Sequence, residues 1–182
     1  KYLPLGHIHS IIFWNHDEMN MQQALKDGVN VVLCGDYGTG KTSLIVSAAI
    51  EAANDPNIQV YFILCTNLAK DGEPESVYVL DEAIRMKFEG TAIQVVTMTD
   101  IRKMVNKSTE KDNRHYLVQE FLKMKSQSGE SIIAFIDELP IHQQDLNKLM
   151  KYESSQLIQT LQTLDSSCIQ AMVALATVSL LD

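Results

Sequence analysis

Eight consecutive residues, Gly35-Asp36-Tyr37-Gly38-Thr39-Gly40-Lys41-Thr42, fit the spacing GxxxxGK[ST]. The glycines let the backbone take conformations closed to other residues. Successive amide N–H groups then point inward and form a nest for an anion. A helix that starts at Lys41 adds its free N–H groups and the positive end of its dipole. Lys41 is placed to reach the β- and γ-phosphates of a nucleoside triphosphate, and the Thr42 hydroxyl to hold magnesium. Asp36, Tyr37, Thr39 and Ser43 complete the candidate nucleotide contacts, with Tyr37 either near the sugar or base or facing solvent. A chance match to four fixed positions in a chain this long occurs less than about once in a hundred.

A second constellation lies far downstream. Ser131-Ile132-Ile133-Ala134-Phe135-Ile136 is an apolar run that ends in the carboxylates Asp137 and Glu138. It resembles the Walker B motif of P-loop NTPases. The resemblance implies that Asp137 binds the magnesium shell and that Glu138 is the general base that orients the attacking water. An adjacent Asp-Glu pair is similar to the subclass with an added catalytic glutamate, which includes AAA-type ATPases, RecA-like proteins and helicases. Two other acidic pairs, Asp17-Glu18 and Asp81-Glu82, fall in helical patterns and read as solvated faces.

These residues need a scaffold, and the hydrophobic pattern supplies one. Val29–Cys34, Ile58–Thr66, Ala92–Met98, Ser131–Ile136 and Ile169–Thr177 are short apolar runs of strand type. Helical patterns alternate with them over His16–Lys26, Lys41–Asn54, Val77–Glu89, Thr99–Val105, Asn113–Ser126 and Gln143–Leu164, the last broken near Glu153–Ser155. Within it, Leu157–Leu164 has core spacing that plain packing explains. Buried strands alternating with helices imply a three-layer α/β/α P-loop NTPase fold with a mainly parallel central sheet. Ligands in such sheets sit beyond the carboxyl ends of the strands, where both motifs fall. Residues 1–28 read as an extension and helix packing on the core. Residues 29–182 read as the P-loop, RecA-like domain, truncated at its C-terminal end. The start at Lys1 and the stop at Asp182 mark it as a piece of a longer protein.

The order of elements carries a finer resemblance. Two strands, Ile58–Thr66 and Ala92–Met98, separate the two motifs, whereas AAA-type ATPases usually have one there. This is similar to the first RecA-like domain of superfamily 1 helicases. Phe62-Ile63-Leu64-Cys65-Thr66-Asn67 and Val95-Val96-Thr97-Met98-Thr99 resemble the threonine-bearing turns that contact single-stranded nucleic acid in that family. Gln23, in Met19-Asn20-Met21-Gln22-Gln23, matches the adenine-reading glutamine or is a solvent-facing helix residue. The sequence departs from the family in two places. Leu139-Pro140 follows the acidic pair where a DExQ-type motif is usual. The last strand ends in Thr177 and Ser179 rather than in an acidic–glutamine sensor of the γ-phosphate, and either hydroxyl can take that role or be an ordinary strand end. The helicase likeness implies a nucleic-acid-dependent ATPase. A signalling switch of NACHT or AAA type and a non-catalytic nucleotide-binding scaffold are the alternatives. ATP is favoured over GTP because no NKxD motif occurs.

Bulk properties bound the partners. The chain has 182 residues and a net charge of −8, which makes it a poor non-specific binder of nucleic acid. Its three arginines, Arg85, Arg102 and Arg114, include none clearly placed as an arginine finger. A missing domain or a partner is expected to supply one. Lys103, Lys107 and Lys111 form a mild basic region that reads as a solvated face. Cys34, Cys65 and Cys168 read as buried, reduced thiols in an intracellular protein, cytoplasmic or nuclear. No apolar run is long enough to span a bilayer. His7 and His9 lack further metal ligands nearby, and His115 and His142 read as isolated surface residues.

Overall fold

The computed structural model describes residues 2–5, 8–13, 21–34, 40–66, 79–105, 113–151, 153 and 155–178. Two strands, β1 (Tyr2–Leu5) and β2 (Ile8–Phe13), open the chain. Helix α1 (Met21–Lys26) follows, then strand β3 (Val31–Cys34) and helix α2 (Lys41–Ala52). Next come β4 (Ile58–Leu64), α3 (Val79–Lys87), β5 (Gln94–Thr97) and α4 (Met98–Met104). Helix α5 (Arg114–Ser126) leads into β6 (Ser131–His142). The chain continues through α6 (Gln143–Met150), α7 (Gln156–Ser166) and β7 (Ile169–Val178).

The sheet order is β1-β2-β3-β7-β6-β4-β5. The strands β3, β7, β6, β4 and β5 are parallel to their neighbours. On the other edge β2 joins β3 in parallel, and β1 closes antiparallel on β2. The chain leaves β3 for β4 and then β5, and later returns through β6 and β7. A right-handed crossover places its helix on one face when the chain moves outward and on the opposite face when it returns. Accordingly α2 and α3 cover one face, and α4, α5 and α7 cover the other.

Period-two alternation in the strands feeds both layers. Leu33, Phe62, Phe135 and Met172 pack with Ile45, Ala49 and Phe88 on the α2 face. Val32, Ile63, Ile136 and Val173 pack with Leu117, Phe121, Leu161 and Leu164 on the α5 face. Three helices begin at residues whose side chains cap them. Thr97 and Asp100 make a reciprocal capping box on α4, and the Asn113 and Ser155 side chains cap α5 and α7. Ser155 falls where the long helical pattern was expected to break. Among the described residues, no helix is long and apolar enough to cross a membrane.

Three expectations change. Strand β6 does not stop at Ile136 but runs to His142, because a bulge absorbs the acidic pair and pairing with β7 resumes at Leu139. Cys168 is exposed, unlike the buried Cys34 and Cys65. It sits past the last turn of α7 with φ 59°, in the left-handed position that ends a helix. His115 is buried at 7% exposure, since it shares a helix face with the core residues Val118 and Leu122.

Candidate active site

Helix α2 starts beyond the carboxyl end of β3. Its N-cap, Gly40, has φ 86°, a conformation in which any side chain is strained. This left-handed residue turns the incoming chain so that Lys41 and Thr42 occupy the first helical turn. Residues 35–39 of the phosphate loop lie outside the described residues, as does Ser179. Ser43 is described and exposed.

Strand parity explains how the second motif meets the first. Ile133 and Phe135 face α2, so Asp137 faces α2 as well. There the Thr42 hydroxyl donates to Asp137 Oδ1 at 3.0 Å, joining residues 95 positions apart. Asp137 is only 3% exposed. Burial lifts its carboxyl to about 6; the Thr42 bond opposes the rise, and the neighbouring Glu138 and Asp81 charges add to it. A hydroxyl and a carboxylate are hard oxygen donors of the kind magnesium takes alongside phosphates and water. A buried carboxylate raised in this way gains from a cation at its oxygens. The donor set therefore fits the expected ion.

Glu138 is the extra residue of the bulge. Ile136 pairs with Val173 and Leu139 with Leu175, so three steps on β6 match two on β7. Glu138 adopts φ 52°, a left-handed backbone that costs a non-glycine residue roughly 1–3 kcal/mol. Without the bulge, alternation would drive its side chain into the α5-side core with Ile136. With the bulge, Leu139 and Ile141 take those inward places and Glu138 stays half-buried at the strand ends. Its carboxyl is raised by burial and by the Asp81 charge, and lowered by Lys41. Strand β7 lies between β3 and β6, so the strand that leads into α2 and the strand that carries this carboxylate are one strand apart.

Asp81, read from the sequence as part of a solvated face, is also buried. It is 9% exposed, on the α3 face that also buries Ile84 and Phe88. Phe88 packs against Phe62 of β4 at 4.9 Å between ring centroids, which fixes the helix against the sheet. Asp81 stands two turns nearer the helix N-terminus and acts electrostatically on both Asp137 and Glu138. Its spacing to Ile84 and Phe88, at three and seven residues, was the available signal.

The other candidates are less central. Gln23 is exposed and donates to Asp27 at 2.8 Å. Thr177 is exposed and pairs in register with Ile141, beyond the bulge. The Thr97 hydroxyl accepts from the Asp100 amide at 3.2 Å, and Thr99 is buried. Of the nucleic-acid turns expected from the sequence, only Thr66 presents an exposed described residue. Arg114 is turned inward, with Nε donating to the Cys65 carbonyl at 2.9 Å.

The family model described as "ATPase family associated with various cellular activities (AAA)" matches residues 31–180. That span contains all of β3, both acidic residues and all of β7. The match carries ATP binding and hydrolysis in general terms and nothing specific to superfamily 1 helicases. A comparison with curated proteins finds no match.

Proposed function

We propose that this chain, which belongs to the ATPase family associated with various cellular activities (AAA), binds ATP with magnesium between the start of α2 and the end of β6 and hydrolyses it with Glu138 as general base. The observation that carries the proposal is the 3.0 Å bond between Thr42 and Asp137, which joins the phosphate loop's helix to the acidic strand end. Lys41, in the first turn of α2, neutralises charge on the β- and γ-phosphates. Thr42 and Asp137 would hold the magnesium ion. Once bound, the ion supplies Lewis-acid stabilisation of charge that develops on the phosphate oxygens. Glu138, half-buried and set off by the bulge, orients the attacking water and accepts its proton. Burial and Asp81 raise its basicity, and Lys41 keeps it from rising further. Lys41→Ala is expected to abolish tight ATP binding, read by titration of a fluorescent ATP analogue; unchanged affinity would count against the site.

The energy of hydrolysis is used, in this reading, by a nucleotide-dependent assembly of AAA type. The buried state of Thr97 and Thr99 favours it over a nucleic-acid motor, because those hydroxyls are turned to the chain's own backbone or core. The helicase-like reading keeps one specific support, the second strand β5 between the two motifs.

A further inference from the structure

We propose that His115 is a positioning residue for Glu138, acting through the Pro140 carbonyl. The inference rests on Glu138 being the base. A glutamate in the left-handed region, with φ 52°, holds that conformation only if its surroundings over-determine it. Besides their pairing with β7, both flanks of the bulge are tied to the first two residues of α5. On the upstream side, the Cys65 amide donates to the Asp137 carbonyl at 3.2 Å, and Arg114 Nε donates to the Cys65 carbonyl at 2.9 Å. On the downstream side, His115 Nε2 lies 2.8 Å from the Pro140 carbonyl. A carbonyl only accepts, so the proton sits on Nε2. The remaining nitrogen, Nδ1, is buried and has no hydrogen-bond partner among the described residues. A phenylalanine would fill this place without that penalty. What the imidazole adds at this position is the single bond to Pro140, two residues after the base.

The clamp has a direction. Helix α5 is anchored in the core by Leu117, Phe121 and Leu122, all fully buried. Its N-terminal residues therefore act from a rigid support on the more strained strand segment. Loss of the His115 bond frees the Pro140 carbonyl and lets the bulge relax toward the ordinary extended backbone. Glu138 then leaves its position relative to the attacking water. Nucleotide binding, which rests on α2 and Asp137, stays.

The test compares His115→Phe and His115→Gln in this chain, since a glutamine amide nitrogen reaches about as far as Nε2. His115→Phe is expected to lower kcat about ten- to a hundredfold, the scale of a small misplacement of a reacting group. The Kd for ATP should stay within about twofold, and His115→Gln should restore most of kcat. If His115→Phe does not fold, His115→Asn against His115→Gln replaces it, because asparagine is too short to reach Pro140. A phenylalanine or asparagine variant with wild-type kcat would overturn the proposal. So would a variant that loses binding and turnover together without rescue by glutamine. Glu138→Gln, run in parallel, separates the two levels: if it retains turnover, the base assignment fails rather than the clamp.

Discussion

At the scale of single residues, burial acts on the two carboxylates at the bulge of β6 and on one imidazole of α5, on the other face of the sheet. Asp137 and Glu138 are both raised by burial, and Asp81 pushes both further. The same burial acts on His115 with the opposite sign, because its charged form is the protonated one. Its pKa is lowered from 6.5, by burial first, with the His142 charge adding to the fall and the Pro140 carbonyl and Asp145 opposing it. The unfolded chain therefore takes up this proton before the folded chain does. Stability linked to His115 is full above about pH 6.5 and is lost as pH falls through the lower folded value. Urea midpoints measured between about pH 7.5 and about pH 5.5 should fall more steeply for the wild type than for His115→Gln. Parallel slopes would mean that the folded imidazole is not held neutral. The meeting of Thr42 with Asp137 was legible in the sequence, because the spacing of both motifs puts them at the carboxyl ends of the strands. The burial of Asp81 and His115 was not, since it depends on which helix face packs against the sheet.

At the scale of elements, alternation in β6 explains both the core and the site. Odd positions up to Asp137 face α2, and the bulge lets odd positions from Leu139 face α5. The sequence pattern located this strand but not its length, because Asp137 and Glu138 look like a terminus when only hydrophobicity is read. Pairing with β7 resumes after them and carries the strand to His142. Helix α5 is the counterpart that holds the bulge, and its Phe121 meets Tyr61 of β4 edge-on at 5.5 Å. Phe121 is fully buried, so Phe121→Ala should cost about 3–5 kcal/mol of unfolding free energy. A loss below about 1 kcal/mol in chemical denaturation would show that α5 is not anchored as described.

At the scale of the whole molecule, the strand order sets where the two motifs fall. Strand β7 lies between β3, which precedes α2, and β6, which carries the acidic pair. Strand alternation, the loop spacing and the acidic pair made this architecture readable in advance. The use made of ATP was less readable, because it depends on surfaces. Arg114 donates inward to Cys65, and Arg85 is exposed on α3, away from the α5 face. A catalytic arginine from a second copy or another domain is the expected complement. ATP turnover per chain should therefore rise with protein concentration and stay unchanged on adding single-stranded DNA or RNA. Stimulation by nucleic acid at fixed protein concentration would restore the motor reading. Both outcomes presuppose that this chain hydrolyses ATP with Glu138. The most direct test is Glu138→Gln, with ATP affinity and single-turnover hydrolysis measured on the same preparation. The account predicts affinity close to wild type and hydrolysis lost by at least about a hundredfold. Hydrolysis at the wild-type rate in that variant would contradict it.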